Sequence, residues 1–538
     1  MKRIASTALF LLLYACNTVA QNAPLVLPES EGAYPALYND AEHPCITPEQ
    51  YALIDQQIAS NIEAYHIPQS AHKGQMITAL NWPLRLAAGV NDCSFYTISA
   101  YVDQNTATGT YSDWNCGTNS YDGHKGTDIA TYPFHFYKMD HDQVEVIAAA
   151  PGMIVNKVDG NFDKNCATNS LTANYLAIQH ADGSTVLYFH MKKNSLTSKA
   201  IGQSVALGEY LGVVGSSGNS SGPHLHFEVW SGSTNATRVD PWAGPCNTLN
   251  ANSWWAAQKP YTEPAVIKAS VHTTDIVAPA CPDTETPNES TCYVRPFQGA
   301  GLPANAAKFY AFYRNETAGM SATFSILNPD GSVFTSWTAN SNTSYNASYR
   351  SYTKTLPTNT GTYTFKAVYN GVTCSSTFDV INAVITAAGP TTVCEGSSVA
   401  LNAGVGGTYL WNTGATTQII NASISGSYTV TVTGSNGCSA VSAPFVVTVN
   451  PGPSAVITPG GATEFCQGGS VMLSAAAGNT YKWSTGATTQ SITISNTGTY
   501  TATITSANGC SAISIPTAVS VNPLPSAAIT PGGPTTFC

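Results

Sequence analysis

The feature that most constrains this chain is a repeat. Residues 393–418 read "VCEGSSVALNAGVGGTYLWNTGATTQ" and return at 465–490 as "FCQGGSVMLSAAAGNTYKWSTGATTQ". The period is 72 residues: Cys394, Cys466 and Cys538 keep it, as do Cys438 with Cys510 and Trp411 with Trp483. A repeat of this length is a supersecondary unit that buries a small core of its own and stacks on its neighbours. Val, Leu, Tyr and Thr alternating between Gly, Asn and Ser turns make it a unit of strands. The spacing predicts repeats over 384–452 and 453–524. Residues 525–538 open a third copy, and a lone opening strand buries no core. On this reading the natural protein continues past Cys538, the odd cysteine.

The 538 residues exceed what one core organises, and about three to five domains are expected. Residues 281–383 hold alternating runs such as "KFYAFYRN" and "YTFKAVYN", which suit a β-sandwich module with Cys292 and Cys374 joining its sheets. Residues 246–280 are rich in Pro and Ala, aperiodic, and fit a linker. Over 79–245, short strand-like runs broken by Gly, Asp and Asn predict a compact, mostly antiparallel β domain, with Cys93 and Cys116 placed to clip one loop. Residues 21–78 form an N-terminal segment with the one clear helix, 47–67. Thr47 caps it, Gln50 completes a capping box, and Tyr51, Ile54, Ile58, Ile62 and Tyr65 line one face. The expected fold class is mainly β, an antiparallel sheet domain followed by β-sandwich repeats.

The first 20 residues carry Lys2 and Arg3, then an apolar run, then Thr18-Val19-Ala20. That pattern predicts a secretory signal cut after Ala20, and a secreted or cell-surface protein; lipidation of Cys16 is the alternative. Fourteen cysteines without a CxxC pair point to disulfides in an oxidising compartment. The formal charge of -10 and the 10 % content of charged residues exclude a nucleic-acid partner and attraction to anionic surfaces. No further run is long and apolar enough to span a bilayer, and the chain is expected to be a monomer.

The chemistry concentrates in 79–245. "GHKGTD" sets His124 four residues before Asp128; "YFHM" puts His190 at the end of an apolar strand; "GPHLHFEV" holds His224 and His226. Residues i and i+2 of a strand share a face, about 7 Å apart, so the last pair presents two imidazoles side by side. Gly215, Gly218 and Gly222 leave the preceding loop free of bulk. One HxH is a coincidence; HxH, HxxxD and a strand-end His in one small domain point to metal. Catalytic zinc keeps three protein ligands and one open position. Five candidates therefore leave two His for proton transfer and oxyanion stabilisation. Glu228, on the same face as the HxH pair, is expected to support a ligand rather than act as a base. His180 and Asp240 read as structural, and His135 and His141 as solvated loop residues.

"GHKGTD", "YFHM" and "GPHLHFEV" together resemble the motifs of the lysostaphin-type (LytM and β-lytic) zinc metalloendopeptidases. The resemblance covers 79–245. It implies one Zn²⁺ per chain on His124, Asp128 and His226, and catalysis by His190 and His224 through a zinc-activated water. It also implies hydrolysis of peptidoglycan cross-links or Gly-rich peptides. The alternative is a catalytically silent adhesion or wall-binding protein built on the same scaffold. The Cys…Trp…Cys units resemble immunoglobulin-type sandwiches and are similar to Ig-like repeats of secreted Bacteroidetes proteins. That resemblance implies disulfides Cys394–Cys438 and Cys466–Cys510, with Trp411 and Trp483 packed on them.

Overall fold

Strands form wherever β-branched and aromatic residues run between turn formers, and almost all of the regular structure is β. The computed structural model describes residues 30–33, 45–69, 79–276 other than 168, and 287–532 other than 479 and 531. The expected signal and its Cys16 alternative lie outside these residues, as does Cys538. Among the described residues, no helix is long and apolar enough to cross a membrane.

The sheet that carries the candidate site uses β1 (Tyr96–Ala100), β2 (Thr127–Thr131), β3 (Gly152–Val158), β4 (Tyr175–Gln179), β5 (Thr185–Phe189), β6 (Ser204–Val205), β7 (His224–Trp230) and β8 (Arg238–Val239). Its order is β1-β2-β7-β5-β4-β3-β6, with β8 added beside β7, and every pairing is antiparallel. The period of two divides it into two buried faces. One face sets Leu176, Ile178, Val186, Tyr188, Leu225, Phe227 and Val229 in a core shared with Leu84, Val144, Val146, Leu211 and Trp242. Of these partners, Leu84, Val144, Val146 and Leu211 belong to a separate three-stranded sheet, Leu84–Leu86, Val144–Ile147 and Tyr210–Val213. The other face carries Val155, Tyr175, Leu187, Phe189 and Trp230.

Helix α1 (Pro48–Ala64) lies on that second face. Thr47 and Gln50 form the expected capping box, and Tyr51, Ile54 and Ile58 are buried against the sheet. Each buried isoleucine contributes roughly 1.5–3 kcal/mol of transfer free energy. Tyr65 falls at the C-cap and is 53% exposed, so the apolar face is shorter than its spacing predicts. A second helix, α2 (His135–Asp140), occupies a stretch read as a solvated loop. His135 is buried there, on a helix that follows the left-handed Phe134; His141 hydrogen-bonds through Nδ1 to the Tyr137 carbonyl in an exposed setting.

The segment expected as a linker is largely built into the fold. Trp254 and Trp255 pack in the core of the site-bearing domain, and Ala265–His272 is a strand paired with Ala306–Glu316. Two of its three prolines, Pro260 and Pro264, precede the strand, while Val266 and Ile267 bury completely. The next module places that pair, with Tyr345–Thr355 and Ser30–Ala33, opposite a five-stranded sheet. Phe309, Tyr313 and Tyr352 meet Phe324, Phe365 and Phe378 between the two layers.

The two repeats fold alike, each as three three-stranded sheets around a buried tryptophan. The Trp411 and Trp483 indole N–H groups donate to the Thr417 and Thr489 carbonyls, both at 2.8 Å. The disulfides are not those expected. Cys93 bonds Cys374, Cys116 bonds Cys246, Cys292 bonds Cys438 and Cys394 bonds Cys510; Cys466 is free and exposed. The expected pairs Cys93–Cys116, Cys292–Cys374, Cys394–Cys438 and Cys466–Cys510 are thereby overturned. The reason lies in the strands. Thr392–Cys394 runs parallel to the last strand of its repeat and sets Cys394 beside Asn450, where the next repeat begins. Cys438 lies in the turn whose Asn436 N–H donates to Asp379 of the preceding module. The two cysteines of one repeat thus sit at opposite ends, and each bonds across a module boundary.

Candidate metal centre and active site

The register of β7 against β2 builds the centre of the site. His226 pairs directly with Asp128, and His224 pairs with Ala130 two residues further along. β5 flanks β7 on its other side, with Phe189 opposite His226, so the next residue, His190, turns over the same face at φ 64°. His124 enters from the turn before β2. Gly126 is required there, because a Cβ at that position would meet His226 Nε2 at 2.7 Å. The "GHKGTD" stretch is therefore a turn shaped around an imidazole.

All five candidates come together and all are buried. His226 Nδ1 lies 2.9 Å from Asp128 Oδ1, and His124 Nε2 lies 3.1 Å from Asp128 Oδ2 and 3.2 Å from His226 Nδ1. His224 Nε2 is 3.6 Å from Asp128 Oδ1, and the His190 and His224 rings are 4.6 Å apart.

Hydrogen bonds at the far side of three of the rings fix which nitrogen carries the proton, because a carbonyl oxygen only accepts. His124 Nδ1–H donates to the Tyr101 carbonyl at 2.7 Å, His190 Nδ1–H to Ser217 at 2.7 Å, and His224 Nδ1–H to Gly222 at 2.8 Å. His226 Nε2 faces Glu228 Oε2 at 3.4 Å. The His124 nitrogen that converges on Asp128 is thus a lone pair, while His226 lies between two carboxylates, Asp128 at 2.9 Å and Glu228 at 3.4 Å. Two imidazole nitrogens and one carboxylate oxygen at these separations suit zinc, leaving an open position. His190 Nε2 and His224 Nε2 have no hydrogen-bond partner although they are buried.

Burial alone would push the Asp128 carboxyl up, but the facing His124 and His224 imidazoles and the His226 contact hold it well below the usual carboxylate range. Glu228 follows the same logic. Burial raises it, yet the His226 contact and donors from Trp230 Nε1 at 2.8 Å and Tyr51 OH at 2.6 Å keep it ionised. It lies against His226 from two residues further along the same strand. His180 and Asp240 keep structural roles: His180 Nδ1–H donates to Pro151, and Asp240 accepts from the Trp242 amide.

Three site residues escaped the sequence reading. Tyr51 of α1 braces Glu228, and Tyr121 stacks on His124 at 4.2 Å between ring centroids. Cys45, just before α1, places its sulfur within 4.8 Å of the donor atoms of His124, Asp128 and His226, and within the same distance of those of His190 and His224. Cys45 stood among unassigned cysteines, and its single signal was the lack of a partner at a recognisable spacing.

Residues 122–241 match the model of peptidase family M23. That span contains all five candidates. Among curated proteins, the chain is similar to an uncharacterized metalloprotease of Buchnera aphidicola, 42% identical over 57 residues, covering 11% of this chain and 14% of that protein. It is also similar to the DD-carboxypeptidase/endopeptidase Mpg of Neisseria meningitidis, 49% identical over 56 residues, covering 10% of this chain and 12% of that protein. The chain thus spans under a sixth of the length of either relative. Among solved structures, the catalytic domain of a prophage-encoded M23 protein from Enterococcus faecalis is 25% identical, with 29% of this chain and 92% of that chain covered and a TM-score of 0.19. A zinc-containing peptidase from Vibrio cholerae is 21% identical, with 32% and 40% covered and a TM-score of 0.20.

Proposed function

We propose that the domain is a zinc metalloendopeptidase that hydrolyses peptide bonds in peptidoglycan cross-links or Gly-rich peptides outside the cytoplasm. The observation that carries this is the convergence of imidazole nitrogens on one buried carboxylate. His124, Asp128 and His226 hold the ion, one per chain. A zinc ion held by three ligands lowers the pKa of water at its open position and polarises a carbonyl. His190 and His224 border that position, with Nε2 free to take up a proton or to donate one once protonated. Their Nδ1–H bonds to Ser217 and Gly222 fix both rings in place. Buried Glu228 keeps His226 oriented through Nε2.

The substrate class rests on the peptidase family and on the curated relative whose name includes endopeptidase. The disulfides suit an exported protein. A silent scaffold would have no need to retain both the ion-holding set and two histidines that leave Nε2 without a hydrogen-bond partner. The test is digestion of defined muropeptides and Gly-rich peptides, with products identified by mass spectrometry. Cleavage that stops on chelation and returns with zinc supports the proposal. Zinc binding without cleavage of either class, in wild type and Cys45→Ala alike, contradicts it.

A further inference from the structure

The geometry points to Cys45 as a fourth ligand that closes the open metal position and holds the enzyme latent. This inference rests on the metal site proposed above. The Cys45 sulfur is the one protein atom shared by both groups of candidates. It lies within 4.8 Å of the donor atoms of His124, Asp128 and His226, and of those of His190 and His224. The fourth ligand of a tetrahedral site belongs between those two groups, and so does a substrate carbonyl. The second observation concerns the two histidines. Nε2 of His190 and of His224 are buried, have no hydrogen-bond partner and face the same space.

The segment that delivers the thiol is anchored on both sides. Cys45 Sγ is 2.6 Å from Tyr121 OH, on the residue stacked against His124. Two residues later, Thr47 starts α1. Tyr51 OH then reaches Glu228 Oε2 at 2.6 Å, and the Lys125 ammonium sits 3.8 Å from the centre of the Tyr51 ring. Ile54 and Ile58 continue down the same face of the sheet. The N-terminal segment therefore covers the site with a helix and fills it with a thiol. Thiolate is a soft ligand well suited to zinc. With the other described cysteines tied in disulfides, apart from the exposed Cys466, this one is reserved as a thiol.

If the thiol-on state dominates, the competent fraction is small and the apparent rate falls by that fraction. Removing the thiol should then raise peptide cleavage by at least about tenfold.

The experiment uses the full chain in a Cys466→Ser background, loaded with Co²⁺ in place of zinc, with metal content measured on the same sample. A thiolate-to-cobalt charge-transfer band in the near ultraviolet is expected. It should disappear in Cys45→Ala and Cys45→Ser while the metal stays bound, and the zinc forms of both variants should cleave faster than their parent. In the parent, iodoacetamide should label Cys45 only after chelation. Metal bound without the band, or Cys45 alkylated equally with and without metal, overturns the inference and leaves the metal site standing. Absence of bound metal in parent and variants alike overturns both.

Discussion

In the site-bearing domain, residues from a turn, two paired strands and a strand end meet around one carboxylate. In the repeat array, cysteines 44 residues apart lie at opposite ends of their own module and bond to neighbouring ones. Both regions are organised by spacing, but the spacing acts at different ranges. A step of two along β7 and the pairing of His226 with Asp128 are fixed inside one sheet, where a slip of one residue would turn both β7 imidazoles to the opposite face. The 72-residue period fixes which positions are equivalent from copy to copy. It leaves open whether equivalent cysteines close on themselves or on the next copy.

The comparison is sharpened most by the two histidines outside the ion-holding set. In the Cys45→Ala chain, His190→Ala and His224→Ala should each keep near-normal zinc and lose at least roughly 10²-fold in cleavage rate, since a positioned acid–base group is worth about 10²–10⁴-fold and an oxyanion donor about 10²–10³-fold. Rate and metal content measured on one preparation decide it. A variant that sheds zinc moves that residue into the ligand set. A variant that keeps both zinc and rate has no catalytic part.

Glu228→Gln should weaken zinc affinity by about 10–100-fold, read by competition with a chromophoric chelator, because the carboxylate that orients His226 is lost. An unchanged affinity would show that strand register alone suffices to place the ligand.

The array is tested by non-reducing peptide mapping, which should link Cys394 to Cys510 and Cys292 to Cys438. Recovery of Cys394 with Cys438 would restore the pairing within a module. Replacing Cys394 and Cys510 by Ser should destabilise each repeat by less than the roughly 2–4 kcal/mol typical of a disulfide that closes a loop within its own core, as followed by urea unfolding.

The smallest effect concerns the neighbouring sandwich. Burial pushes the His272 imidazole down to about 3, while the Pro287 carbonyl accepts its Nδ1–H at 2.6 Å. Unfolded, the ring takes a proton below about 6.5. Its neutral burial therefore stabilises fully above that pH, and the stabilisation is lost as pH falls towards 3. His272→Gln should flatten the fall in unfolding midpoint between about pH 6.5 and 4; an unchanged slope would assign the acid sensitivity elsewhere.

The site was legible because its residues are local in sheet terms: two apart on a strand, four apart around a turn, or at a strand end. Helix α1 was legible from its cap and its apolar period. What escaped lies between elements. No pattern ties Cys45 to His224 across 179 residues, or Tyr51 to Glu228 across 177. α2 is too short to show a period, and the strand at Ala265–His272 hid behind the prolines that precede it. For the disulfides, the resemblance to immunoglobulin-type sandwiches supplied a pairing that the parallel strand ending at Cys394 rules out.

Zinc analysis of His226→Ala beside wild type is the most direct test of the central claim, that His124, His226 and the Asp128 carboxylate hold one ion. Wild type should contain about one zinc per chain and the variant almost none, with the fold intact by circular dichroism. Full retention of zinc in a folded His226→Ala protein would contradict the account.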